Sequence, residues 1–226
     1  MMTYAEILRR LKANASPSGV KGMAKFGIRT ENALGLSMPF LRTTAKQIGV
    51  DHELALQVWG SGIHEARILA ALIDDPERVT SPQMEEWVKD FDSWEVCDQV
   101  CGNLFDRTRF AHRKAAVWAG RKPEYVRRAG FALIAALAWH DKEAGDDVFT
   151  GYLPLIEKYA FDERNFVKKA VNWALRNIGK RNRALNRAAV GCARRIARQD
   201  SRTARWVAAD AIRELTDPKT IARIKS

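Results

Sequence analysis

The sequence predicts an all-α protein, an α-solenoid of stacked helix pairs. Strong helix formers dominate the 226 residues, notably Ala, Leu, Arg, Lys and Glu. Runs rich in Val, Ile and Thr that alternate apolar and polar positions are absent, so no strand is predicted. An Ala-rich amphipathic segment also recurs along the chain, which is the third reason for predicting stacked helices.

The recurring segment has a polar or basic start followed by small and aliphatic residues, and it occurs at 64–73, 125–134, 166–175 and 206–215. The last three copies begin about 40 residues apart, the period of two-helix repeats of the HEAT and armadillo type. Small Ala residues let neighbouring helices pack closely. We therefore expect one continuous curved stack, a single domain over residues 1–226.

Capping residues and prolines predict where several helices begin and end. The segment 16–35 has four glycines and is the least regular, so a short helix within loops is one interpretation of it. Elsewhere the sequence predicts helices over 83–91 after Ser81-Pro82, about 94–105 after Asp92-Ser93, 124–138 after Lys122-Pro123, and from Asp162 or Glu163 to Gly179, with further starts at Ser201 and Asp217-Pro218.

The net charge of +11 lies entirely in the last part of the chain. Residues 161–226 contain 17 Lys and Arg against 6 Asp and Glu, whereas residues 1–160 contain 21 of each. A one-sided basic region indicates an anionic partner, with nucleic acid first and an acidic protein or membrane surface second. A solvated basic surface without a partner is the alternative.

The remaining composition predicts a soluble cytosolic protein without a metal site. The longest apolar run, residues 129–139, has 11 residues, fewer than the roughly 18 that cross a bilayer. Residues 1–11 are amphipathic and charged, unlike a signal peptide. Three cysteines, an odd number, favour reduced thiols. Cys97 and Cys101 have too few potential ligands nearby to predict a metal centre.

Tryptophans in a helical repeat protein are expected in the core, but two of the seven have polar neighbours on one helix face. Trp94 and Asp98 are one turn apart, as are Lys169 and Trp173, with Arg176 three residues further on. An aromatic ring between two cations suits a surface that packs on sugars while its neighbours hold phosphates. Asp98 alone could equally cap or pair on a surface. The core prediction covers Trp59, Trp87, Trp118, Trp139 and Trp206.

Three segments, in order, resemble the AlkD-type bacterial DNA alkylation repair family, whose members are HEAT-like repeat DNA glycosylases. These are Ser93-Trp-Glu-Val-Cys-Asp98, Tyr125-Val-Arg-Arg128 and Lys168-Lys-Ala-Val-Asn-Trp-Ala-Leu-Arg176. The likeness extends from Gly22-Met-Ala-Lys25 through the C-terminal helices. It implies a concave groove that holds double-stranded DNA containing alkylated purines.

The resemblance implies that Trp94, Asp98 and Trp173 form the catalytic cleft, with Arg128 beside them holding the lesion-bearing strand. Phe26 stands where the family often has a phenol, so the ring is retained and its hydroxyl, with any hydrogen bond to DNA, is lost. Helix spacing separately predicts phosphate contacts from Lys169, Arg176 and Lys180.

The implied activity is hydrolysis of the N-glycosidic bond of N3-methyladenine or N7-methylguanine, as a step of base excision repair. No Lys is placed to form a Schiff base, so we expect a monofunctional enzyme without strand cleavage. The mechanism requires neither metal nor organic cofactor, and we expect a monomer in the bacterial cytosol, associated with the nucleoid through DNA. Two alternatives remain: a non-catalytic HEAT-like module that binds unusual DNA structures, and a protein-interaction solenoid.

Overall fold

The computed structural model describes residues 2–224, and within that range every regular element is a helix. The all-α prediction is therefore confirmed. Internal contacts divide the chain into two compact units, residues 1–109 and 110–226, so a single domain over 1–226 stays a prediction. None of the helices in the described part is long and apolar enough to span a membrane.

Within residues 2–109, the first unit contains seven α-helices and two short 3-10 helices, at Val88–Asp90 and Phe105–Arg107. The α-helices are α1 (Tyr4–Ala13), α2 (Pro17–Lys25), α3 (Met38–Ile48), α4 (His52–Gly60), α5 (His64–Ile73), α6 (Ser81–Trp87) and α7 (Trp94–Asn103). Helix α5 is central, because it packs against α3, α4 and α7 and buries almost all of its side chains. Beside it, the indoles of Trp59 and Trp87 stack with centroids 3.9 Å apart.

The second unit contains eight α-helices within residues 110–224. They are α8 (Ala111–Ala119), α9 (Glu124–His140), α10 (Asp146–Thr150), α11 (Leu153–Tyr159), α12 (Asn165–Gly179), α13 (Arg183–Ile196), α14 (Arg202–Leu215) and α15 (Pro218–Arg223). Helix α9 packs against α8 and α12, and α12 packs in turn against α13 and α14. Each helix pair thus contacts the next.

Hydrogen bonds in the second unit join successive repeats. Asn172 Nδ2 donates to Asp210 Oδ2 at 2.9 Å across 38 residues, and Arg176 donates to Glu214 across the same separation. The close approach of α8 and α9 depends on Gly130, where a Cβ would lie 2.2 Å from the Ala119 backbone nitrogen. These contacts confirm the sequence repeat in this unit.

Helix boundaries agree with the sequence predictions to within a few residues. Helix α9 runs two residues past the predicted end, and α12 begins at Asn165 and ends at Gly179. The predicted helix over 83–91 is divided, since α6 gives way to a 3-10 turn at Val88. In the irregular segment 16–35, α2 is the short helix and the rest is loop.

The core prediction holds for Trp59, Trp87 and Trp118 and is wrong for two tryptophans. Trp139 is 62% exposed and Trp206 is 43% exposed. Trp139 lies in the last turn of α9, beyond Ala138, where the buried stretch ends. Trp206 lies outside the buried stripe of α14, which includes Val207 and Ala208. Apolar character alone does not identify the buried face of an amphipathic helix.

A buried carboxylate holds the loop that follows α2. Glu65, on α5, is 1% exposed and accepts hydrogen bonds from three consecutive backbone N–H groups, those of Leu34 at 2.8 Å, Gly35 at 2.6 Å and Leu36 at 3.1 Å. Gly35 has a φ of +75°, and a Cβ on Gly19 of α2 would lie 2.2 Å from the Gly35 oxygen. Helix α2 and its loop are therefore fixed against the core of the first unit through Glu65.

We predict that Glu65→Gln lowers the free energy of unfolding by about 1–3 kcal/mol, because the amide turns one acceptor into a donor facing N–H groups. Urea-induced unfolding followed by circular dichroism measures the loss. Glu77→Gln, at an exposed acid of the same unit, is the control and should stay within about 0.5 kcal/mol of wild type. Equal stability of Glu65→Gln and Glu77→Gln would contradict the role given to Glu65.

Candidate active site and nucleic-acid interface

Helix α7 presents Trp94 and Asp98 on one face. Ser93 caps its start, with the hydroxyl accepting from the Val96 N–H at 3.3 Å, so Trp94 is the first helical residue. The side chains of α7 that are buried in the core include Cys97 and Cys101. Burial, and then the neighbouring Cys97, raises the pKa of the Cys101 thiol. Trp94 and Asp98, in contrast, are half-buried, so part of each side chain is accessible to a ligand.

The Trp94 indole is held in place by the backbone at the end of α2. Its Nε1–H donates to the Phe26 carbonyl oxygen at 3.0 Å, a bond between residues 68 positions apart. Phe26 is the C-cap of α2, and the residue is 71% exposed. The structure thus brings Phe26 beside Trp94, and Glu65, which fixes the loop after α2, supports this arrangement indirectly.

Arg128, predicted to hold the lesion-bearing strand, is largely buried in the second unit. It lies on α9, is 5% exposed, and donates from Nη1 to the Phe166 carbonyl oxygen in the first turn of α12. This bond ties two neighbouring repeats together. The guanidinium has a fixed position, and its contact with a DNA strand stays a prediction.

Helix α12 has one buried and one partly exposed face, as its spacing predicts. Val167, Val171 and Leu175 are in the core, whereas Trp173 is half-buried and Lys169, one turn before it, is exposed. Within residues 2–224, Lys169 has no acidic partner. Its ammonium is therefore available to an external anion.

The other two predicted phosphate contacts, Arg176 of α12 and its C-cap residue Lys180, are ion-paired. Arg176 pairs with Glu214 of α14 and lies 3.6 Å from Asp210, and Lys180 Nζ lies 2.9 Å from Glu214 Oε1. Burial raises the pKa of Glu214, but Lys180 and Arg176 more than offset this and lower it overall. The acidic pair on α14 was missed from the sequence, although its i, i+4 spacing matches that of Arg176 and Lys180 one repeat earlier.

The predicted catalytic residues are divided between the two units. Trp94 and Asp98 share a face of α7 in the first, and Arg128 and Trp173 lie on adjacent helices in the second. The assembly of all four into one cleft stays a prediction. The first pair combines an aromatic ring with a carboxylate, an arrangement able to bind a cationic ligand.

Comparison with known proteins agrees with this architecture. A solved structure with a TM-score of 0.78 is 18% identical, with 94% of this chain and 95% of that chain covered. That protein is described as one of a new family related to the HEAT-like repeat DNA glycosylases, with affinity for branched DNA structures. The fold is therefore HEAT-like. No curated protein matches significantly.

A family model described as DNA alkylation repair enzyme matches residues 7–215, nearly the whole chain. The matched residues include α2 and α5, which hold Trp94 in place, and α7, α9 and α12, which carry the predicted catalytic and phosphate-binding residues. The chain belongs to the DNA alkylation repair enzyme family.

Proposed function

We propose that this protein is a monofunctional DNA glycosylase that removes positively charged alkylated purines, N3-methyladenine and N7-methylguanine, from duplex DNA. The observation that carries the proposal is the partly exposed pair on α7, an indole fixed through its N–H and a carboxylate one turn away. Membership of the DNA alkylation repair family supports it.

Alkylation at N3 or N7 gives the purine a formal positive charge, which weakens its bond to the sugar. The bond from C1′ to the base nitrogen breaks, and its electron pair stays with the base and cancels that charge. The sugar becomes an oxocarbenium-like cation. Because the base leaves as a neutral molecule, the site needs negative potential and π-faces around C1′ rather than a strong acid.

Asp98 supplies the negative charge in this mechanism. Its carboxylate stabilises the sugar cation, and it accepts a proton from the water whose oxygen bonds to C1′. Trp94, one turn away on the same helix, adds cation–π stabilisation on the order of 0.5–2 kcal/mol. The charge contact is the larger contribution when water is excluded from the site.

A second function, binding of branched or otherwise unusual DNA without base release, is favoured by two observations. The similar solved protein is described as having affinity for branched DNA structures, and Phe26 lacks the hydroxyl that the family often has at this position. Both functions require DNA binding, and only the first requires base release. A base-release assay on methylated duplex DNA separates them.

We infer that DNA binding is electrostatic and depends on free cations of the second unit more than on paired ones. We predict that Lys169→Ala reduces the slope of log affinity against log salt by about one unit. Arg176→Ala should reduce the slope less, because Glu214 and Asp210 already offset its charge. Titration of a labelled blunt duplex at several salt concentrations measures both. Lys89→Ala, at an exposed lysine of the first unit, is the control, and an unchanged slope for Lys169→Ala would exclude a phosphate contact there.

We predict that Asp98→Asn lowers the single-turnover rate of N7-methylguanine release about 10²–10³-fold, the usual cost of removing one preorganised electrostatic partner. Duplex affinity should be retained, because the cation it stabilises exists only near the transition state. Asp92→Asn, at another half-buried carboxylate of the first unit, should keep the wild-type rate. Release by Asp98→Asn at the wild-type rate would refute the catalytic assignment and leave the DNA-structure-binding function.

A further inference from the structure

A cleft of about 530 Å³ lies at the C-terminal ends of α9 and α12 in the second unit. Its volume is within the usual range of about 300–1,000 Å³ for small-molecule sites. Four cationic side chains, two amides and one exposed indole line it, and no carboxylate of residues 2–224 does so. The lining residues are Ala138, Trp139, Lys142, Asn177, Lys180, Arg181, Asn182 and Arg223.

Trp139 has the features of a stacking platform. The residue is 62% exposed, so a large apolar surface meets water although the hydrophobic effect favours its burial. The Lys142 ammonium lies over the ring, with Nζ 5.4 Å from the ring centroid. An exposed ring next to a cation is the combination that binds a nucleobase together with its phosphate.

The ends of two helices would ordinarily repel an anion, since their last carbonyl groups carry partial negative charge. At the end of α9 the Ala138 and Trp139 carbonyls accept hydrogen bonds from side chains, and at the end of α12 the Gly179 carbonyl accepts from Asn186 Nδ2 at 3.0 Å. Arg181 donates to the oxygens of Ala138 at 3.0 Å, Asp141 at 2.6 Å and Ala144 at 3.2 Å, and Lys142 donates to the Trp139 oxygen. The cleft therefore combines net positive side chains with satisfied carbonyls.

Not every cation of the cleft is equally available to a ligand. Arg181 is committed to backbone carbonyls, and Lys180 is paired with Glu214. Arg223 is exposed and has no acidic partner among residues 2–224, and the Lys142 ammonium has donors to spare beyond its bond to a carbonyl. A phosphate would thus be held mainly by Lys142 and Arg223.

We propose that this cleft binds one unpaired nucleotide of a DNA strand, with its base stacked on Trp139 and its phosphate between Lys142 and Arg223. An unpaired nucleotide is required because bases within a duplex already cover each other's faces. Lys180 lines the cleft and also lies seven residues after Trp173. At a rise of 1.5 Å per residue, the two residues are about 10 Å apart along the axis of α12. A strand bound along α12 can therefore continue unpaired into the cleft. This inference rests on the DNA binding proposed above.

The test compares Trp139→Ala with Trp206→Ala. Trp206 is the matched control, because it is another exposed indole of the second unit with a lysine beside it, Lys168 Nζ at 5.2 Å from its centroid, and it lies outside the cleft. Fluorescence anisotropy is measured with a short oligothymidylate, a blunt duplex and the same duplex bearing a single-stranded extension. Circular dichroism confirms that both variants are folded.

Trp139→Ala should weaken binding of the oligothymidylate and the extended duplex about fivefold to a hundredfold, the effect of losing one stacked base. Its affinity for the blunt duplex and its rate of N7-methylguanine release should match wild type, as should every property of Trp206→Ala. Arg223→Ala should lower the salt slope for the oligothymidylate by about one unit.

The proposal is overturned if Trp139→Ala binds oligothymidylate like wild type, or if Trp206→Ala loses as much affinity. A different set of results is expected if the glycosylase proposal is wrong and the cleft proposal is right. In that case no variant or wild type releases methylated purine, while the loss of single-strand affinity in Trp139→Ala is still observed.

Discussion

Close packing of helices is the constraint on which the rest of this structure depends. Each long helix must bury one stripe against its neighbours, and at Gly130 the approach leaves no room even for a Cβ, which would lie 2.2 Å from the Ala119 nitrogen. Only the remaining stripe of each helix can meet a ligand. On α7 that stripe carries Trp94 and Asp98, and on α12 it carries Lys169 and Trp173. Candidate binding and catalytic residues in such a fold are therefore found among the side chains that helix packing leaves exposed.

The positive charge is distributed more selectively than a net value of +11 suggests. Glu214 forms ion pairs with Arg176 and Lys180. The buried Asp162 forms ion pairs with Arg127 at 2.7 Å and with Arg164 at 2.6 Å. The Arg176–Glu214 pair joins α12 to α14, and the Arg127–Asp162 pair joins α9 to the loop before α12. The cations left without an acid, such as Lys169, are the ones expected to meet phosphates. Basic residues thus have two separate tasks, holding the stack together and binding an anionic partner.

Fold class, repeat period and most helix ends could be predicted from the sequence, because they depend on local features: helix-forming residues, capping residues such as Ser93, and the spacing of Ala-rich segments. The placement of Trp94 and Asp98 on one face followed from helix geometry alone. The role of Glu65 could not be predicted, since its three partners lie about thirty residues away in an irregular loop. Trp139 and Trp206 were misassigned to the core because the sequence does not show where the buried stretch of α9 ends or which face of α14 is buried.

The central claim is that the site acts on purines whose positive charge weakens the glycosidic bond. The most direct measurement is single-turnover base release by the wild-type protein from two duplexes that differ only in one residue, N7-methylguanine or the neutral base hypoxanthine. Release of N7-methylguanine with no hypoxanthine release above background is the predicted result. Release of both bases at similar rates, or of neither, would contradict it.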